Sequence, residues 1–423
     1  MKLSRIWLLC VLATGASTTL GQKIKIAPSQ VMTDQTASIL VTGAAPNSRV
    51  TIRAQLTDGA GSPWASEAEF LADSQGSIDT AKQAPVRGSY RIVSAMGLIW
   101  SMRPTSRDVH IYAAPHRLGP QPIQFQLIQS GEEVSSTQLV QLAIRPDVQQ
   151  IRIDGVLHGV FFRPDGNEKH PGILVVGGAE GGAPLAKAAW VASHGYAALA
   201  LCYFHCAGTP QKLENIPLEY FGLALGWMMK RSEVAADHIA IMGTSRGGEL
   251  ALQFGSIYPK IKAVVAYVPA DFRYPSCCQV PFEAAWIWKG QPLAWAFSGP
   301  NRSFGAITNA LIAVENTSGP ILMIGAQNDG VWPSAEMVEA AAERLRARHF
   351  AYPVVVLIYP HAGHFAGLAA IEPTWSNGVA DPISGRGISF GGTPEGNAES
   401  TVDAVPKVLD FLQKNLAEAS PAK

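Results

Sequence analysis

The 423-residue chain carries 33 Lys and Arg against 33 Asp and Glu, and 47% of it is hydrophobic. That length and apolar content supply core for two domains rather than one. The lack of a basic surplus excludes a nucleic-acid partner that requires a positive face.

Lys2 and Arg5 precede an apolar stretch over residues 6–16, and small residues follow to Gly21. This is the pattern of a secretory leader over 1–21, cleaved after Thr19-Leu20-Gly21. The stretch is short for a membrane-spanning helix. No later segment reads as one, so the mature chain is expected to be exported, periplasmic or secreted, with no integral membrane segment. Cys10 would leave with the leader. In an oxidising compartment the remaining cysteines suggest one disulfide, Cys206 with Cys277 or Cys278, because both segments follow strands at one end of a sheet. Adjacent cysteines without a second C-x-x-C pair fit a zinc site poorly, and no metal or cofactor is expected.

Residues 23–145 read as β-structure. Val50, Ile52, Ala54 and Leu56 alternate with polar residues, as do Ile123, Phe125 and Leu127, and Val140, Leu142 and Ile144. Turn signals such as Ala45-Pro46-Asn47, Asp58-Gly59 and Arg87-Gly88 separate them. The spacing predicts an all-β, immunoglobulin-like sandwich. It shows no catalytic constellation.

From 149 to 419 strands and helices alternate. Strands are expected at 156–162, 172–176, 196–201, 261–268, 321–325 and 353–359. Helices are expected up to His194 and at 217–229, 334–348 and 401–416. Residues 271–318 form a Trp-rich insertion, either a lid or acyl-facing wall or simple core packing. Residues 378–400 read as a Gly-rich surface loop.

Between a buried apolar run (Ile239 to Met242) and a helix lies Gly243-Thr244-Ser245-Arg246-Gly247, a G-x-S-x-G on a strand-to-helix turn. That context raises the Ser245 hydroxyl above the sheet, and the glycines leave room for neighbouring backbone. With mostly parallel strands and helices on both faces, this predicts an α/β-hydrolase domain after the sandwich.

A serine needs a base, and the base needs an orienting carboxylate, in the order Ser, acid, His. Asp329, in a loop after a strand, is the acid candidate, with Asp271 as its rival. His364, in Pro360-His361-Ala362-Gly363-His364, is the base candidate, with His361 as competitor. His194, His205 and His238 precede the acid and read as structural. The loop Gly177-Gly178-Ala179-Glu180-Gly181-Gly182 follows an early strand. Ala179 or Glu180 would pair with the Arg246 N–H as an oxyanion hole. The loop lacks the Lys-Ser/Thr ending of a phosphate cradle.

Further stretches carry a resemblance: VTIRAQLTD (50–58), DSQGSID (73–79), MGLIWSMRP (96–104), ENIPLEYF (214–221), GTSRGGEL (243–250), Gly363-His364 and FGGTPE (390–395). With these the chain resembles the acyl-CoA thioesterase and bile acid-CoA:amino acid N-acyltransferase family. The resemblance implies a β-sandwich before an α/β-hydrolase domain and a triad of Ser245, Asp329 and His364. It implies an acyl thioester or ester as the small-molecule partner. The acyltransferase branch has cysteine where Ser245 stands, so serine points to hydrolysis. Acyl transfer to an amino-acid amine, and a non-catalytic binding protein, are the competing readings. The leader departs from the family's familiar members, which are intracellular, where acyl-CoA is found. Oligomeric state is not legible.

Overall fold

The computed structural model describes residues 21–277, 281–297, 308–380 and 387–416. The leader read at the N-terminus, Cys10, Cys278 and part of the Trp-rich insertion lie outside them.

Strands β1 (Lys23–Ala27), β2 (Gln30–Met32), β3 (Ser38–Thr42), β4 (Arg49–Thr57), β5 (Pro63–Leu71), β6 (Ile78–Asp79), β7 (Arg87–Gly88), β8 (Arg103–Pro104), β9 (Gln121–Gln129) and β10 (Glu132–Leu142) build two sheets. The smaller runs β1-β3-β6. The larger runs β2-β10-β9-β4-β5-β7, with β8 also on β5. The period-2 pattern does its work here. Val50, Ile52, Ala54 and Leu56 turn inward from β4 and share one core with Ile39 and Val41 of β3. A short helix α1 (Gly97–Trp100) is buried beside them.

The second sheet contains β11 (Val148–Ile153), β12 (His158–Pro164), β13 (His170–Val176), β14 (Ala197–Cys202), β16 (Val234–Thr244), β17 (Ile261–Tyr267), β20 (Ile321–Ala326) and β21 (Val354–Tyr359). Its order is β11-β12-β14-β13-β16-β17-β20-β21. Pairing is antiparallel through β11, β12 and β14 and parallel from there on. A small separate sheet joins β15 (Ile216–Pro217), β18 (Trp286–Trp288) and β19 (Gln291–Pro292).

The central strands are apolar at every position because both faces are covered. Leu174, Val176, Ile239 and Ile241 face one core, where helices α3 (Leu218–Met229), α4 (Arg246–Ile257) and α5 (Ser334–Ala347) pack. Ile173, Val175, Ala240 and Met242 face the other, covered by α2 (Leu185–Ser193) and α6 (Pro394–Leu416). This is an α/β-hydrolase sheet following a strand-rich region.

Two expectations are corrected. Cys206 is bonded to Cys202, not to Cys277 or Cys278. Cys202 ends β14 and the following turn returns Cys206 to a Cα separation of 6.5 Å, within bonding range. The segment read as a loop to residue 400 becomes helical at Pro394. Thr393 Oγ1 accepts the Gly396 N–H (2.9 Å), and proline fits the first helical turn, where its missing N–H costs nothing.

Candidate active site

Ser245 stands between β16 and α4 with φ 58° and ψ −121°, a region strained for any residue with a Cβ. The surroundings hold it there. Its N–H donates to the Tyr267 carbonyl (2.9 Å), and its carbonyl accepts the Glu249 N–H (3.0 Å). A Cβ on Gly243 would strike the Gly247 carbonyl, and one on Gly247 the carbonyls of Val176 and Gly177. Both glycines are therefore required by close backbone approach.

His364 Nε2 lies 2.8 Å from Ser245 Oγ. On the other side of the ring, Nδ1 lies 2.9 and 3.0 Å from the two Asp329 carboxylate oxygens. A carboxylate only accepts, so Nδ1 carries the proton and Nε2 accepts from the serine hydroxyl. Asp329 Oδ1 also accepts the Val331 N–H (2.9 Å) and the Trp332 N–H (3.3 Å). The Asp329 side chain is 0% exposed and that of His364 8%. The pair is thus shielded from competing water.

Asp271 is buried in the segment that follows β17 and does not supply this carboxylate; its carbonyl accepts the Ile312 N–H. The His361 carbonyl accepts the Thr393 N–H (2.9 Å). His194 Nε2 meets Asp34 of the sandwich at 2.7 Å, the same carboxylate oxygen that accepts from Trp190.

The Ala179–Glu180 loop lies beside the elbow: a Cβ on Gly178 would sit 3.2 Å from Ser245 Cβ. The Glu180 carboxylate accepts the Gly178 N–H (2.9 Å) and so takes up that donor. Arg246 opens α4 at the elbow, but its guanidinium turns away from Ser245. It pairs with Glu249 (3.0 Å) and donates to the carbonyls of Pro275 and Tyr274.

The sequence reading missed Lys187. Its amine donates to Thr244 Oγ1 and stands 3.5 Å over the Tyr267 ring. It therefore touches both the residue before Ser245 and the residue that holds the Ser245 N–H. Burial pushes the amine down to about 7, with Glu180 opposing. The available signal was a lone cation in the apolar helix LAKAAWVAS.

A row of rings leads away from His364. Trp332 meets His364 edge-on (5.4 Å), Tyr274 stacks on Trp332 (5.0 Å), and Phe297 and Trp295 continue it outward. Trp295 is 37% and Phe297 51% exposed. Among the described residues no group of three or more His, Cys, Asp and Glu is placed to hold a metal ion. Among them also, no helix is long and apolar enough to cross a membrane. The arrangement can activate a serine hydroxyl for attack on a carbonyl.

Residues 34–155 match the acyl-CoA thioester hydrolase/BAAT N-terminal region. Residues 216–285 and 301–418 match the BAAT/acyl-CoA thioester hydrolase C terminal. The chain is 28% identical to acyl-coenzyme A thioesterase 6 of Mus musculus, covering 92% of this chain and 96% of that one. It is 28% identical to the peroxisomal succinyl-coenzyme A thioesterase of the same organism (90% and 94% covered). It is also 28% identical to acyl-coenzyme A amino acid N-acyltransferase 1 of Mus musculus (94% and 98%). Among solved structures, a putative dienelactone hydrolase from Klebsiella pneumoniae matches 63% of this chain and 98% of its own at 16% identity, with a TM-score of 0.40.

Proposed function

The chain belongs to the acyl-CoA thioester hydrolase/BAAT family, and from that premise we propose that it is a serine hydrolase cleaving acyl thioesters through an acyl-enzyme on Ser245. The observation that carries this reading is His364 placed between Ser245 Oγ (2.8 Å) and the Asp329 carboxylate (2.9 Å). His364 takes the hydroxyl proton as Ser245 attacks the acyl carbon. The Arg246 N–H and an N–H of the Ala179–Glu180 loop receive the oxyanion. The thiolate leaves with little acid assistance, since an ordinary thiol has a pKa of ~8.5, and the proton held on His364 passes to it as it departs, which frees Nε2 to act as base again. Water, deprotonated by His364, then releases the acid and regenerates Ser245. The ring row from Trp332 to Phe297 offers an apolar acyl chain a surface to lie on.

The test is turnover of short-, medium- and long-chain acyl-CoAs and p-nitrophenyl esters by the purified protein and its Ser245→Ala variant. Acyl-CoA hydrolysis lost in the variant supports the proposal. Cleavage of esters alone redirects it to an exported carboxylesterase, and unchanged turnover in the variant removes Ser245 from the chemistry. One relative is named an N-acyltransferase, so glycine or taurine is included. Serine rather than cysteine at position 245 leads to the expectation of free acid and no N-acyl product. Export rests on the leader pattern alone, and N-terminal sequencing of the protein in the periplasm or medium tests it.

A further inference from the structure

Two stretches, MGLIWSMRP and FGGTPE, play no part in the chemistry described above. In the structure they lie at the two ends of one connected path. The Phe390 carbonyl accepts the His364 N–H (2.7 Å) and the Gly330 N–H (3.2 Å), so one oxygen holds the base and the neighbour of the acid. Gly391 bridges Asp329 in antiparallel fashion. The Gly392 N–H donates to the Asn328 carbonyl (2.9 Å) and the Thr393 N–H to that of His361 (2.9 Å). Gly391 and Gly392 have φ of 71° and 70°. A Cβ on the first would strike the Asn328 carbonyl, and one on the second the Gly363 nitrogen. Only glycine lets this segment lie against both loops.

From there the path runs into the sandwich. The Pro394 carbonyl accepts the Thr374 hydroxyl (2.7 Å), and the Thr374 N–H donates to the Trp100 carbonyl (3.1 Å). Residues 371–377 lie along the sandwich as a strap. The Ile371 N–H donates to the Thr33 carbonyl (2.7 Å) and the Asn377 N–H to that of His110 (2.8 Å). Gln141 Nε2 donates to the Ile371 carbonyl (3.0 Å), and Trp375 packs edge-on against Trp64 (6.1 Å). The strap is also the chain that leaves the His364 loop.

We infer that the β-sandwich is a working part of the active site: through Trp100, Thr374 and the Phe390–Gly392 segment it sets the register of the Asp329 and His364 loops. Thr374, Phe390, Gly391 and Gly392 are positioning residues. They touch no reacting atom and act through His364 and Asp329. This rests on the reading of Ser245, His364 and Asp329 as the reacting set. A small misplacement of such a set costs far more rate than stability, because the proton must pass between atoms already at hydrogen-bond distance.

The experiment measures the rate at which a fluorophosphonate probe labels Ser245, well below the melting temperature of every variant. It also follows the downfield proton resonance of His364 Nδ1–H, and it needs no knowledge of the natural substrate. Thr374→Val, which keeps shape and loses the hydroxyl, is expected to slow labelling about tenfold, with Thr374→Ser restoring it. Gly392→Ala is expected to slow labelling ~10²-fold and to shift or broaden the resonance. Gly387→Ala, upstream of the Phe390–Gly392 segment and with open space around it, is expected to label at the parent rate. Parent-rate labelling in Thr374→Val and Gly392→Ala overturns the inference, as does slowing that Thr374→Ser does not restore. Failure of the parent protein to label overturns the serine-hydrolase reading instead, so the two failures are distinct.

Discussion

His364 Nδ1 meets both carboxylate oxygens of Asp329, at 2.9 and 3.0 Å, with the Asp329 side chain wholly out of solvent. The carboxylate fixes the tautomer that leaves Nε2 open to the Ser245 proton. Asparagine in its place can turn an N–H toward Nδ1 and select the wrong tautomer. Asp329→Asn is therefore expected to lower kcat by ~10⁴ with little change in KM. Asp271→Asn is expected to leave kcat nearly intact. The reverse result from steady-state hydrolysis would return the acid role to Asp271.

Arg246 and Glu249 form a nearly unexposed ion pair across the first turn of α4, 6% and 0% exposed. Trp286 Nε1 donates to Glu249 at 2.6 Å, tying the helix to the segment that carries β18. Burial pushes the Glu249 carboxyl up while Arg246 and Trp286 hold it down. Glu249→Ala strands the guanidinium and is expected to cost ~3–5 kcal/mol of unfolding free energy in urea titrations. Arg246→Met with Glu249→Leu removes both charges and is expected to recover much of that loss. Losses that simply add across the two sites would show that the charges do not act as a pair.

What was legible in the sequence and what was not differ in physical kind. Continuous apolar runs such as Ile239 to Met242 announce buried parallel strands, because both faces of such a sheet are covered. Ser245, Asp329 and His364 each sit among small residues just after a strand, and the parallel order carries all three to one edge. The Phe390 carbonyl is different. It is a backbone acceptor, and any residue has one, so no side-chain pattern reveals that its donors are Gly330 and His364. A run with two glycines reads as a loop until its partners are known. The Cys206 partner failed for a related reason: the sequence shows which strands end together but not how tightly the turn after β14 closes. Lys187 was passed over because one cation on an apolar helix usually reaches solvent along its stem, whereas here its amine turns to Thr244.

Lys187 also gives a pH signature. Burial holds its amine at about 7, well below the ordinary lysine value of 10.5. Between those values the unfolded chain binds a proton that the native chain does not, so this residue makes stability rise with pH. Below pH 7 the desolvation cost is borne in full. Lys187→Met is expected to gain stability over the parent at pH 6 and to lose that advantage steadily toward pH 9. The slope is up to about 1.4 kcal/mol per pH unit. Urea midpoints at several pH values measure it. A parent-minus-variant difference independent of pH would mean that the amine stays charged throughout.

Glu372 acts in the opposite sense and in another place, the strap between the His364 loop and the sandwich. Burial raises its carboxyl to about 7 from the ordinary 4.5. The native chain then holds a proton that the unfolded chain has released, so stability falls as pH rises through that window. Above it, a buried carboxylate sits beside Tyr112, whose hydroxyl its charge also makes harder to ionise. Glu372→Gln keeps shape and polarity without the charge. It is expected to match the parent near pH 4.5 and to exceed it in melting temperature at pH 8. If the strap transmits to the site, the variant also holds its Ser245 labelling rate better than the parent as pH climbs above 7. Equal melting temperatures at pH 8 would place the Glu372 carboxylate in contact with water and detach it from both effects.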